Sequence, residues 1–355
     1  MTFRAHSLLS PTGLAALVAA AAATVFAAPP AQAQTREHLD WCANTGNAYK
    51  PDLRIIGCSD VIDAGRWTGA DIVWALFNRA LAYEAKRDAR AITDLNEAIK
   101  RDPRHAKLFY ERGRFYSGIV DDVASALRDF DQALALDPDY ADARIYRGGI
   151  RRRSGDDDGA IEDFTAALAV ADDARIHVAR AGAYRAKDDY AHAIADYDEA
   201  LTLAPGRIAF IDSRGQLSFS MAHYAAAAAD FTSVLDFDAG SAAAALWLYL
   251  ARVRDGDEAA AKADFAARAP KLRQPEFPYA AVELYLGRGT PEAVLAAASR
   301  PVEQCDARIF VGEWHLIRGD DAAAAAVFKS LEDGCSKYFI DDHELAAAEL
   351  KRIGK

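Results

Sequence analysis

Between Ala70 and Ala239, apolar residues recur with the 3.6-residue period of amphipathic helices, in pairs of segments separated by short polar turns. The clearest segment is Ala126–Pro138, in which Phe130 and Leu134 fall on one side of a helix that Pro138 ends. The same pattern begins again in altered form at Ala91, Ala160, Ala193 and Ala227. We therefore predict five helix-turn-helix units in this region.

Two charged positions recur with the same period. The second helix of each unit carries an aspartate, and the steps between these aspartates are 35, 34, 33 and 34 residues: Asp94, Asp129, Asp163, Asp196 and Asp230. The first helix carries an arginine at nearly the same spacing: Arg79, Arg112, Arg147, Arg180 and Arg214. Two series at one period indicate internal repeats. Since the two helices of a unit must pack together, we predict a partly buried Arg–Asp contact between them; a charged ladder that binds ligands is the alternative.

Small residues recur in the middle of each first helix, at Ala80, Gly113, Gly148, Ala181 and Gly215. Glycine inside a helix costs about 1 kcal/mol relative to alanine, so its recurrence needs a reason. A close approach of the second helix supplies that reason. The large residues of the second helices would then fill the space beside the small ones: Leu95, Phe130, Phe164, Tyr197 and Phe231.

The segments RGRFYSGIVDDVASALRDFDQALALDP and ARAGAYRAKDDYAHAIADYDEALTLAP resemble tetratricopeptide repeats. They share the small residue, a tyrosine in the first helix, the early alanine and aromatic of the second helix, and the terminal proline. Individual units depart from this pattern, because Arg151 and Ser218 replace the tyrosine and Asp172 and Ala239 replace the proline. The resemblance implies an all-α fold, a right-handed α-α solenoid with capping segments at its ends.

We predict five segments along the chain. They are a signal peptide at 1–33, a disulfide-containing N-terminal cap at 34–70, five tetratricopeptide repeats at 71–240, degenerate helical repeats at 241–304, and a disulfide-flanked repeat-like unit with a C-terminal capping helix at 305–355. The signal-peptide prediction rests on Arg4, the apolar stretch Leu14–Phe26 and the small-x-small pattern Ala31-Gln32-Ala33 before Gln34. The apolar stretch is shorter than the ~20 residues that a membrane-spanning helix needs, so we expect export with cleavage and no membrane insertion of the mature chain.

The four cysteines all follow the predicted cleavage site. An even number in an oxidising compartment indicates two disulfides, for which three connectivities are possible. We predict Cys42–Cys58 and Cys305–Cys335, because one pair lies on each side of the repeats. Metal ligation is disfavoured, since there is no CxxC motif and no nearby pair of histidines.

The motifs LWLYLA, VELYLG and FVGEWHLIRGDDAAAAAVF, within 241–353, resemble outer-membrane tetratricopeptide lipoproteins of the bacterial envelope, which are adaptors for peptidoglycan hydrolases and a processing protease. The resemblance implies a periplasmic hydrolase or protease as client, and a homodimer. No cysteine follows the predicted cleavage site directly, so a lipid anchor is not implied.

In tetratricopeptide repeats the first helices line a groove that binds peptides. The resemblance places ten residues of this chain in such a groove, and they form an aromatic end, a basic middle and two apolar positions: Trp74, Phe77, Tyr110, Arg114, Ile145, Arg152, Arg153, Arg175, Arg185 and Phe219. The basic middle would bind acidic side chains or a peptide carboxylate. The alternatives are a solvated face with incidental arginines, or an aromatic end covered by the N-terminal extension.

The net charge of -11, which becomes -12 once Arg4 is removed, argues against nucleic acid or an anionic membrane surface as partner. Catalytic motifs are absent: the histidines are scattered, and there is no GxSxG and no phosphate loop. We therefore predict a non-enzymatic periplasmic or secreted adaptor without cofactor, which binds a protein segment. The alternatives are a self-associating structural protein of the envelope, or a hydrolase with a site near Glu313 or His315.

Overall fold

A computed structural model describes residues 30–65, 67–274, 277–332, 335 and 340–355. The predicted signal peptide, 1–33, lies outside the described residues except for its last four positions. Within the described part of the chain there are nineteen α-helices and no strand. None of these helices is long and apolar enough to cross a membrane.

The chain forms two compact units, which divide between Asp129 and Phe130. The first unit holds α1 to α5 and the start of α6: α1 Pro30–Ala43, α2 Pro51–Asp63, α3 Ala70–Ala85, α4 Arg90–Arg101, α5 Ala106–Phe115 and α6 Val123–Leu136. The second unit holds the rest of α6 and thirteen further helices: α7 Ala141–Arg153, α8 Asp157–Val170, α9 Ala174–Ala186, α10 Tyr190–Leu203, α11 Ile208–Ser220, α12 Tyr224–Phe237, α13 Ala242–Arg254, α14 Glu258–Arg268, α15 Tyr279–Tyr285, α16 Pro291–Ala297, α17 Pro301–Leu316, α18 Asp321–Glu332 and α19 Ile340–Arg352.

Each predicted Arg–Asp contact is an ion pair between the two helices of a unit. The arginine donates from Nε and Nη2 to the two carboxylate oxygens of the aspartate, as in Arg147–Asp163 at 2.9 and 2.6 Å. The other four pairs have the same geometry: Arg79–Asp94, Arg112–Asp129, Arg180–Asp196 and Arg214–Asp230. All five aspartates are at most 5% exposed, so the pairs are largely desolvated and hold the two helices in register.

The small residues of the first helices do permit a close approach. A Cβ atom on Gly148 would lie 3.0 Å from the ring of Phe164, and one on Gly215 would lie 3.1 Å from that of Phe231. At Gly312 the corresponding distance to Phe328 is only 2.4 Å. The glycine and the phenylalanine are sixteen residues apart in all three cases, so α17 and α18 pack as the earlier pairs do.

The turns between first and second helices also follow the repeat. One residue of each turn has positive φ: Arg87, Asp121, Gly155, Asp188, Ala222, Gly256 and Gly319. Gly256 lies 34 residues after Ala222, so the turn persists into the segment that we predicted to be degenerate. Aspartates begin several second helices, because the carboxylate accepts a backbone N–H of the first turn, as Asp156 does from Gly159 at 3.0 Å.

Both predicted disulfides form, Cys42–Cys58 in the first unit and Cys305–Cys335 in the second. Cys42 and Cys58 join α1 to α2 and pack with Val61 and Ala75 in one buried cluster. The core of the second unit's later part is continuous from Phe219 to Leu350 and includes Trp247, Phe265 and Phe310.

One polar contact of the second unit compensates for a departure from the repeat pattern. His177 is only 8% exposed and lies between two carboxylates, with Nδ1 2.9 Å from Asp196 and Nε2 2.9 Å from Asp172. Asp172 occupies the position where other units have the terminal proline. The contact therefore ties the start of α9 to the end of the preceding unit without that proline.

Candidate protein-binding surfaces

An apolar pocket opens on the first unit between α3 and α5. Its lining comes from the start of α3, from α5 and from the turn before α5: Ala70, Val73, Trp74, Phe77, Asp102, His105, Lys107 and Leu108. Trp74 and Phe77 are one helical turn apart on α3, so both rings face the same side. The exposed ammonium group of Lys107 lies 5.3 Å from the centre of the Phe77 ring. We call this site the aromatic pocket.

The N-terminal extension covers part of the aromatic end. Trp74 packs against the cluster of Cys42 and Cys58, together with Trp67. Trp74 nevertheless remains partly exposed and contributes to the aromatic pocket, as does Phe77. The extension therefore covers one side of Trp74 and leaves the aromatic pocket open.

Arg114 does not present a free positive charge. Its guanidinium lies 5.7 Å from the centre of the Tyr110 ring and forms ion pairs with Glu84, at 3.1 Å, and with Glu111. Tyr110 is only 7% exposed. Burial raises the pKa of Glu111. Two carboxylates around one arginine leave this position without net positive charge, so Arg114 does not extend the basic middle that the sequence predicted.

In the second unit, the predicted basic residues Arg152 and Arg153 of α7 have different surroundings from Arg175 and Arg185 of α9. One Nη atom of Arg152 lies 2.8 Å from the position that a Cβ on Gly182 would occupy, so this guanidinium packs against α9. Arg153 is exposed, and neither Arg152 nor Arg153 has an ion-pair partner among the described residues. Arg175 is paired with Asp173 at 2.8 Å, and Ile145 packs against the cluster around Phe164.

Arg185 is buried under the last helix of the chain. It is 3% exposed, and its Nε and Nη2 atoms donate to one carboxylate oxygen of Glu344 in α19, at 3.1 and 3.0 Å. The arginine does bind a carboxylate, as the groove prediction required, but that carboxylate belongs to the same chain.

Phe219 also lies inside the protein and not on an open groove. It is fully buried and packs edge-on against Tyr224 and Trp247, with ring centres 5.2 Å away in both cases. The repeat pattern placed it on the exposed stripe of the first helices. The later helices cover this part of the stripe, because their core is continuous with Phe219.

Helix α19 crosses the C-terminal ends of three successive first helices. Besides Glu344 on Arg185 of α9, Arg352 donates to the backbone oxygen of Ser220 in α11 at 3.0 Å. Glu349 accepts from Arg254 of α13 at 2.6 Å. Leu345 and Leu350 are 4% and 7% exposed in the core between these contacts. We call the surface of the first helices under α19 the α19 seat. Sequence reasoning missed it, although the presence of Glu344 and Glu349 beside buried leucines was a signal.

A titratable cluster lies in the α19 seat. Glu313 and Glu349 are both fully buried, and both are near Arg254, which lies 3.8 Å from Glu313. Neither carboxylate oxygen of Glu313 has a hydrogen-bond partner among the described residues. Burial, reinforced by the charge of Glu349, raises the pKa of Glu313 to about 8. Glu313 has no solvent contact, so no substrate reaches it in this structure.

Residues 174–207, which cover α9 and α10, match the family model described as tetratricopeptide repeat. Among solved structures, the chain is similar to MamA 41-end from Desulfovibrio magneticus RS-1, at 21% identity over 48% of this chain and 96% of that one, with a TM-score of 0.45. It is similar to YrrB, described as a TPR protein with an unusual peptide-binding site, at 17% identity over 55% and 97%, with a TM-score of 0.47. It is also similar to a tetratricopeptide repeat protein from Parabacteroides merdae ATCC 43184, at 13% identity over 90% and 99%, with a TM-score of 0.47.

Proposed function

We propose that this tetratricopeptide-repeat protein is a non-enzymatic scaffold that binds a segment of another protein in the aromatic pocket of its first unit. The observation that carries the proposal is the pocket itself. Trp74 and Phe77 form an apolar wall that remains open at the surface, and Lys107 stands beside it. Such a site suits an apolar side chain of a peptide, with a carboxylate of the same peptide near Lys107.

The setting that we propose is the periplasm, or the outside of the cell. The two disulfides support an oxidising compartment, and the pattern of residues 1–33 supports export. The resemblance of residues 241–353 to envelope lipoproteins supports a cell-wall hydrolase or protease as the client. A homodimer belongs to the same proposal.

The aromatic pocket, although Asp102 and His105 also line it, is favoured over a hydrolytic site near Glu313 or His315. Glu313 is sealed in the core under α19, and His315 lies beside Asp320 at 3.5 Å, on the part of α17 that is not buried. A hydrolytic site needs an acid or base within reach of a substrate. The aromatic pocket is accessible and has the lining of a binding site.

Affinity capture with a pair of charge variants tests the proposal. The mature chain, from Gln34 onwards, serves as bait in periplasmic extract, beside Lys107→Glu and Lys100→Glu variants. Both lysines are exposed and belong to the first unit, but only Lys107 lines the aromatic pocket. We expect a client retained by the natural chain and by Lys100→Glu and lost by Lys107→Glu. Equal recovery by both variants would place binding elsewhere.

A further inference from the structure

The end of the chain behaves as a ligand of its own repeats. Helices α9, α11 and α13 are the first helices of three successive units, and they end at Ala186, Ser220 and Arg254. Helix α19 contacts all three near these ends. Helix α19 packs on α17 and α18, the helices that precede it in sequence, but its contacts also extend beyond this last unit. Here Glu344 pairs with Arg185, which is 159 residues away.

The contacts in the α19 seat define what the surface recognises. Two glutamates five residues apart each accept from an arginine of the repeats, Glu344 from Arg185 and Glu349 from Arg254. Each glutamate is followed directly by a leucine that is buried. The arginines fix the carboxylates and the leucines contribute apolar area, which is the pattern of an amphipathic helix bound in a groove.

Helix α19 leaves one buried polar group of the α19 seat without a hydrogen bond. With α19 in place, Glu313 is buried without a hydrogen-bond partner among the described residues, and the carboxylate of Glu349 lies in the same cluster. Burying the carboxyl group of Glu313 without a hydrogen bond costs free energy, so the bound state of α19 is less stable than its apolar contacts alone would suggest. The seat is therefore suited to exchange of its occupant.

We propose that the α19 seat is a second protein-binding surface, which binds an acidic amphipathic helix of a partner protein with the Glu-Leu pattern of α19, and that α19 holds the surface closed until such a partner displaces it. The inference rests on the proposed function, in that first helices bind protein segments, but it concerns a different surface from the aromatic pocket. Lys107 is not part of the α19 seat. The capture experiment on the aromatic pocket and the experiment below can therefore fail independently of each other.

The test uses the full mature chain and a fluorescent peptide with the sequence of residues 340–355. In a Glu344→Arg chain, an arginine faces Arg185, and we expect hydrogen exchange of the α19 amides to accelerate by about a hundredfold or more. That chain should bind the peptide, as measured by anisotropy, whereas the natural chain should not. Adding Arg185→Glu restores an opposite pair, so the double variant should regain protection and lose peptide binding.

Glu199→Arg is the matched control, because Glu199 is exposed in the same unit, and it should leave exchange and peptide binding unchanged. Retained protection of α19 in Glu344→Arg would overturn the proposal, as would a released α19 without peptide binding. If the variant instead forms dimers that exchange α19 between copies and does not bind the peptide, the occupant would be a second copy of the chain. That result would also overturn the proposal. If Glu344→Arg loses cooperative unfolding, Glu344→Gln replaces it, with a smaller acceleration and weaker peptide binding expected and the same outcomes decisive.

Discussion

The guanidinium of Arg185 donates from two nitrogens to a single carboxylate oxygen of Glu344, at 3.1 and 3.0 Å, although 159 residues separate them. Both side chains are at least nine-tenths buried. The contact joins the end of α9 to α19, so a helix at the end of the chain is held on repeats in its middle. The pair shows that α19 already occupies the surface around Arg185, which the sequence predicted to be open.

Removing one partner of this pair should destabilise the second unit. In Arg185→Ala the carboxylate of Glu344 is left buried without its arginine, and we expect the free energy of unfolding to fall by about 3–5 kcal/mol. Arg185→Ala/Glu344→Ala should lose less, because it leaves no unpaired charge. Urea denaturation followed by circular dichroism measures both. A double variant that is less stable than Arg185→Ala would contradict the importance of the pairing.

The aspartates beside Arg147 offer a matched comparison within one repeat. Arg147 contacts Asp163, whose side chain is 2% exposed, and Asp131, whose side chain is 58% exposed, both at 2.6 Å. We expect Asp163→Asn to cost about 3–5 kcal/mol of stability, because it removes the buried carboxylate that both Arg147 and Arg151 contact. Asp131→Asn should cost less than about 1 kcal/mol. Thermal or urea denaturation measures both losses. Similar losses for the two variants would show that burial does not determine how much each Arg–Asp pair stabilises the protein.

The buried cluster around Glu313 should make stability depend on pH. The pKa of Glu313 is raised to about 8, whereas the unfolded carboxyl titrates near 4.5, so between these values the folded chain binds more protons than the unfolded chain. Stability should therefore fall as pH rises through this window, by at most about 1.4 kcal/mol per pH unit. Glu349, Arg254, Arg352 and Tyr285 are the charged or titratable neighbours.

Glu313→Gln is the control for this pH dependence, since it keeps the shape of the side chain and removes its titration. We expect the downward slope between pH 5 and pH 8 to disappear in this variant, when denaturation is measured at several pH values. An unchanged slope would show that other groups cause it.

The repeated turn offers a stabilising substitution. Ala222 has φ of 61°, a left-handed conformation that glycine adopts without strain. Gly155 occupies the equivalent position two units earlier, with φ of 81°. We expect Ala222→Gly to raise the free energy of unfolding by about 1 kcal/mol, and Gly155→Ala to lower it by about 1 kcal/mol. Thermal unfolding of both variants checks the pair. Opposite signs would mean that the turn conformation does not control their stability.

Local periodicity explains which features the sequence could predict. The Arg147–Asp163 pair, the packing of Gly148 on Phe164 and the turn at Gly155 all lie within one unit, where the repeat itself specifies the neighbours. The disulfide pairs also followed from position, because one pair lies on each side of the repeats.

The contacts that sequence reasoning missed lie between units or across the length of the chain. Arg114 looked basic because one of its two partners, Glu84, lies 30 residues earlier, in the preceding repeat, although the other, Glu111, lies in the same helix. Arg185 looked exposed because the register of α9 says nothing about where α19 docks. Amphipathic spacing in α19 predicts that one face is buried, but it does not identify the surface that buries it.

Site-specific photo-crosslinking from the aromatic pocket tests the central claim most directly. A photoreactive phenylalanine analogue replaces Phe77 in one chain and Ile56 in another, since Ile56 is 48% exposed in the same unit but does not line the pocket. If the pocket binds a client, the chain labelled at Phe77 should form one discrete adduct in periplasmic extract, which Lys107→Glu abolishes, and the chain labelled at Ile56 should form none. Adducts of equal yield from both positions, or none from Phe77, would contradict a binding site in the aromatic pocket.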